Sequence, residues 1–153
     1  MDETSYHLTR QQINPLPCVF EKALLCQAAV CEAARRLSLA EREMVACSEP
    51  LARAACGNLL QLLRANSSFA LKVKDTQRIL PHAMTMKIQC GGLTGLKDLL
   101  DVDAHAPDVM KLVRLAQAEF GALEDLPFSR IVQGVAHWQI RRRRPPAPTT
   151  PKK

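Results

Sequence analysis

Six cysteines, at positions 18, 26, 31, 47, 56 and 90, are the side chains of this chain with the most chemistry to offer. Residues 1–17 are polar, hold two prolines and lack the apolar core of a signal peptide, so a cytoplasmic setting is expected. The cytosol keeps thiols reduced, which disfavours a disulfide framework and leaves ligation, thiol redox chemistry or plain burial. Soft thiolates suit iron and sulfide, and structural zinc draws four ligands from Cys and His. The spacing C-x7-C-x4-C-x15-C-x8-C-x33-C contains no C-x2-C turn and matches no ferredoxin or zinc-finger pattern. A site built from these residues must be assembled across the fold.

The expected set is Cys31, Cys47, Cys56 and Cys90. Cys26 and Cys31 are five residues apart, about 140° around a helix axis, and would not aim at one point. Cys26, inside ALLCQAA, reads as a small buried hydrophobe. Cys47 precedes a helix start, where amide donors and the positive helix end favour a thiolate. Cys56 sits two turns into that helix, so sharing a site with Cys47 requires a tight fold-back. Cys90 precedes Gly91 and Gly92, which allow close backbone approach to a bulky group. Cys18 and Cys26 stand as substitutes for any one of the four. The absence of His beside any Cys favours an iron–sulfur cluster, 4Fe-4S in type, over zinc.

The elements that must carry these residues read as mainly α with one small β-hairpin, a single domain of about five or six short helices. Residues 1–17 read as an N-terminal arm, 18–140 as the Cys-rich helical domain, and 141–153 as a basic, Pro-rich disordered tail. Residues 18–37 are rich in Ala and Leu and predict a helix. Ser38 and Glu41 have capping-box spacing, which predicts a second over 39–46. Ser48-Glu49-Pro50 opens a third, reaching about Ala65. Alternation at Phe69, Leu71 and Val73, and at Met84, Met86, Ile88 and Cys90, predicts the two strands of the hairpin. A short helix over 93–100, one over 107–120 stopped by Gly121, and one from Pro127 complete the domain.

Charge and motifs narrow the function classes. The formal charge of +6 resides entirely in 141–153, with four Arg, two Lys and no acid, and the other 140 residues balance 15 basic against 15 acidic groups. A neutral body with few aromatic residues offers no specific nucleic-acid surface, while the tail could dock electrostatically on an acidic partner. No Rossmann fingerprint, P-loop, HExxH or GxSxG occurs, so an enzyme is not expected. His82, Met84 and Met86 could offer soft donors to Cu(I), but as alternate strand residues they read as core. The sequence thus points to a small iron–sulfur protein serving electron transfer, or an accessory subunit of a larger redox complex. The alternatives are a structural-zinc adaptor and a plain interaction module with buried thiols.

Overall fold

In the computed structural model, residues 2–72 and 79–139 are described. The chain opens with α1 (Glu3–Ile13), because Asp2 caps it by accepting from the Ser5 amide at 2.7 Å and Glu3 complements the positive end. This segment is no loose arm. Tyr6 and Asn14 are buried, Arg10 pairs with Glu21 at 2.9 Å, and the Asn14 amide donates to the Val45 carbonyl at 3.1 Å. α2 (Glu21–Leu25) is a single short turn of helix.

Among the described residues the one sheet is an antiparallel hairpin, as expected, but it lies elsewhere in the chain: β1 (Ala34–Leu39) pairs with β2 (Arg42–Cys47), from Ala34 opposite Cys47 to Leu39 opposite Arg42. The helices expected over 18–37 and 39–46 are therefore replaced by one helical turn and two strands. Helix-forming composition loses here to burial, since adjacent Met44 and Val45 are both wholly enclosed and β2 is covered on both faces. Leu16 and Cys18 continue the ladder, with Cys18 N–H on Val45 O at 2.9 Å and Cys47 N–H on Leu16 O at 2.8 Å. The turn residues Ala40 and Glu41 have φ of 50° and 65°, the left-handed conformation of a two-residue hairpin turn. Non-glycine residues pay for that conformation, so Glu41→Gly should raise stability by about 1 kcal/mol, read as a higher urea midpoint at unchanged slope.

α3 (Pro50–Ser67) begins with Pro at its first turn and buries Leu59, Leu63 and Ser67. Cys56 extends that stripe toward the helix start at the same three-to-four-residue spacing. α4 (His82–Met86), a π turn (Lys87–Gly91) and α5 (Gly92–Leu99) then run on as one helical rod, because Met86, Lys87, Gly91 and Gly92 all keep right-handed helical angles. The strand expected over 84–90 is overturned. Burial is continuous from Ile88 to Leu93, so no side is left polar and the period-two pattern of Met84, Met86, Ile88 and Cys90 has no solvent face to define. The other expected strand, over 69–73, reaches into residues outside those described, and 69–71 form a turn.

α6 (Val109–Phe120) and α7 (Phe128–His137) fall where the sequence places them. Asp108 caps α6, Gly121 at φ +82° ends it, and Pro127 precedes α7. α7 crosses α5 where Gly91, Gly95 and Gly134 leave the two backbones touching. The glycines after Cys90 thus serve helix packing: a Cβ on Gly91 would meet Val135 Cα at 2.6 Å, and one on Gly92 would meet the Leu63 side chain at 2.7 Å. The tail 141–153 lies outside the described residues.

Candidate functional site

Three adjoining chain segments and one helix bring cysteines together. Cys18 follows the extended Leu16–Pro17 segment on one side of β2, and Cys47 ends β2 itself. Cys31 stands three residues before β1, and its carbonyl accepts from the Ala34 amide at 3.1 Å. Cys56 comes from the inner stripe of α3. These four thiols are close enough to act electrostatically on one another: Cys18 responds to Cys31 and Cys47, and Cys56 responds to Cys31, Cys18 and Cys47. All four are half-buried, and all are free thiols.

Neighbouring groups fix the segments that bear Cys31 and Cys18 and bond the Cys47 thiol. The segment bearing Cys31 is clamped to α6 by Val30 N–H on Pro107 O at 3.0 Å and Val109 N–H on Val30 O at 2.8 Å. The second carboxylate oxygen of Asp108 accepts a further bond from the Glu32 amide at 2.9 Å. Arg53 Nε donates to the Pro17 carbonyl at 2.8 Å, tying α3 to the residue before Cys18. The Phe20 amide acts to lower the Cys18 thiol pKa, and the Cys47 thiol donates to Glu49 O at 3.4 Å. An amide aimed at sulfur stabilises a thiolate and is the kind of outer contact that tunes a sulfur-ligated metal.

Cys90 is elsewhere. It lies buried in the π turn with its Sγ 3.6 Å from the Cys26 Sγ. Of the four cysteines chosen from sequence, the fold gathers Cys31, Cys47 and Cys56 and replaces Cys90 by Cys18. Cys26 is exposed, not the small core residue its sequence context suggests. His82 sits on α4 with Nδ1 3.0 Å from Lys22 Nζ, and only Met86 of its two methionine neighbours is buried. Among the described residues, no three or more Cys, His, Asp or Glu side chains are drawn tightly enough around one point to hold a single metal ion.

Desolvation dominates the electrostatics. It pushes the Cys18 thiol up to about 11, opposed by the Phe20 amide and reinforced by Cys31 and Cys47. It pushes Cys56 up to about 12, with Cys31, Cys18 and Cys47 each adding. The Cys18 and Cys56 thiols are therefore protonated at neutral pH in the metal-free protein, and any metal must displace their protons. The folded values exceed the unfolded value near 9.0, so their stabilising effect is complete below pH 9 and is lost as pH rises toward 11 and 12. Metal-free protein should lose thermal stability from about pH 9 upward, each thiol giving at most about 1.4 kcal/mol per pH unit. Cys56→Ala should flatten that decline, as read by calorimetry across pH.

No family model matches the chain, and comparison with curated proteins and with solved structures found no similar one. The described helices include none long and apolar enough to cross a membrane.

Proposed function

We propose that this chain is a small iron–sulfur protein whose cluster is held by Cys18, Cys31, Cys47 and Cys56. The reading rests on one observation: four free thiols from four separate segments are gathered within electrostatic reach of each other, at a cost in desolvation. Buried thiols repel one another as they ionise, and an iron–sulfide core carries the positive charge that reverses this penalty. A polynuclear core spreads its sulfur ligands around a larger body than one zinc ion, which would need these thiols to close further. The donor set is also sulfur alone, which suits iron and sulfide.

The cluster would supply one-electron chemistry. The chain's contribution is half-burial of the sulfurs, the Phe20 amide on Cys18 and a scaffold fixed by Asp108 and Arg53. Half-buried ligands leave the cluster near the surface, within reach of a partner. Val30 and Leu51, 51% and 89% exposed, flank Cys31 and the start of α3 and offer apolar surface beside the site. The working role is electron transfer, or accessory service to a larger redox complex, with the basic residues 141–153 docking on an acidic surface of that partner.

Anaerobic reconstitution with ferrous iron and sulfide tests the proposal. A brown protein with a visible absorption band that bleaches on reduction with dithionite is the expected result. A protein that stays colourless while remaining folded, or that takes up zinc in preference, overturns it.

A further inference from the structure

Cys26 and Cys90 stand apart from the four-thiol site and have a geometry of their own. Their sulfurs are 3.6 Å apart, against about 2.05 Å in a disulfide, so bond formation needs a shift of side-chain size. The pair is held in register by Gln89, whose side-chain oxygen accepts from the Ala23 amide at 3.1 Å and whose amide donates to Val19 O at 3.4 Å. That buried glutamine fastens α2, which ends at Cys26, to the π turn that carries Cys90. The two sulfurs differ in access. Cys90 is enclosed, whereas Cys26 is exposed and lines a cavity of about 950 Å³. Lys97, Arg130, His105 and His137 also line that cavity, with Asp98 as its acidic side chain.

We propose that Cys26 and Cys90 form a dithiol site for exchange with a small anionic disulfide of the glutathione class, admitted through this cavity. Cys26, as the accessible sulfur, attacks one sulfur of the incoming disulfide as its thiolate. The substrate S–S bond breaks, a mixed disulfide forms on Cys26, and the departing thiolate takes up from solvent the proton that Cys26 released on ionising. Cys90 then attacks the Cys26 sulfur, its proton passing to the second departing thiolate. The net result is one Cys26–Cys90 disulfide and two released small thiols, with the two protein thiols oxidised and the substrate reduced. Burial raises the Cys90 thiol, with Cys26 adding to it, which suits a residue that reacts only after its neighbour. Lys97 is partly offset by Asp98 at 3.8 Å, so Arg130 leaves the cavity net positive, which favours an anionic substrate. The site is independent of any cluster on Cys18, Cys31, Cys47 and Cys56.

The full chain, purified anaerobically, is treated with oxidised glutathione, free thiols are alkylated, and the digest is mapped under non-reducing conditions. Trypsin leaves Cys26 and Cys31 in one peptide, so fragmentation spectra must assign the linked sulfur. The expected product is a single Cys26–Cys90 linkage, with a mass loss of two hydrogens. Cys90→Ser should instead accumulate one glutathione on Cys26, and Cys26→Ser should leave Cys90 as a free thiol. Unmodified Cys26 in the wild-type protein, or oxidation confined to the other four cysteines, overturns the proposal. The wild-type map decides this even if a Cys90 variant fails to fold.

Discussion

Cys18→Ala is expected to abolish the proposed iron–sulfur loading, while Cys90→Ala should leave it in place. Among the substitutions available this contrast is the sharpest, because sequence spacing favours Cys90 and the fold favours Cys18. A cluster held by four thiolates has no spare ligand, and loss even of an outer-shell partner costs about 10–100-fold in metal affinity. Loss of a direct ligand should cost at least that much, so Cys18→Ala and Cys56→Ala should each retain less than about a tenth of the wild-type iron. The metal-free proteins should remain folded, because the thiols at 18 and 56 are half-buried and removing one costs only about 1–2 kcal/mol. Iron per chain, measured beside a circular dichroism spectrum, separates ligand loss from unfolding. Full iron in Cys18→Ala with none in Cys90→Ala would reverse the assignment.

Gly134→Ala is expected to be strongly damaging, like a methyl added at Gly91 or Gly95 on the facing backbone. Its Cβ would lie 2.6 Å from Gly91 O and 2.8 Å from both Cα and N of Gly95. All three are backbone atoms, so no side-chain rotation relieves the clash and α7 must move off α5. Overpacking of this kind costs about 3 kcal/mol or more, a fall of roughly 10 °C in Tm for a chain of this size. Gly57, inside α3, supplies the control: nothing lies within 4 Å of the added Cβ. Gly57→Ala should gain up to about 1 kcal/mol from helix propensity. Thermal melts of the two variants should therefore move in opposite directions. A Gly134→Ala melt within a degree or so of wild type would contradict the close α5–α7 crossing.

What was legible in the sequence depended on how local the determining interactions were. α6 and α7 are bounded by Asp108, Gly121 and Pro127, each of which acts within a turn of its own position, and the Val109, Leu112, Val113 and Ala116 face is buried as its spacing requires. The mainly helical class follows from the same signals, while the alternation that predicted a hairpin lies in segments whose described residues form no strand. The hairpin's place does not follow from them. ARRLSLAEREMVAC is made of good helix formers with a capping-box match, and it becomes two strands because β2 pairs with β1 on one side and Leu16–Cys18 on the other. Those partners are visible only once the chain has folded. Within the rod from His82 to Leu99, α5 falls where the sequence predicts a helix over 93–100, whereas the stretch from Ile88 to Leu93 is buried at every residue and offers no amphipathic period to read.

The same distinction governs the cysteines. Cys47 and Cys56 flank a helix start whose Ser-Glu-Pro signal is local, so their neighbourhood could be inferred. Cys18 was hidden because its partner is the ladder to Val45, not anything in residues 1–17, and the polar, proline-containing start of the chain masked a docked helix. Gly91-Gly92 correctly signalled close approach, but the approaching groups are α7 and Leu63 rather than a cofactor.

Iron and acid-labile sulfide per chain, measured on protein purified without exposure to oxygen, test the central proposal most directly. Iron and sulfide in near-equal amounts, both lost in Cys18→Ala and kept in Cys90→Ala, are the result expected of a cluster on Cys18, Cys31, Cys47 and Cys56. Folded protein that carries zinc, or neither iron nor sulfide after reconstitution, would contradict it.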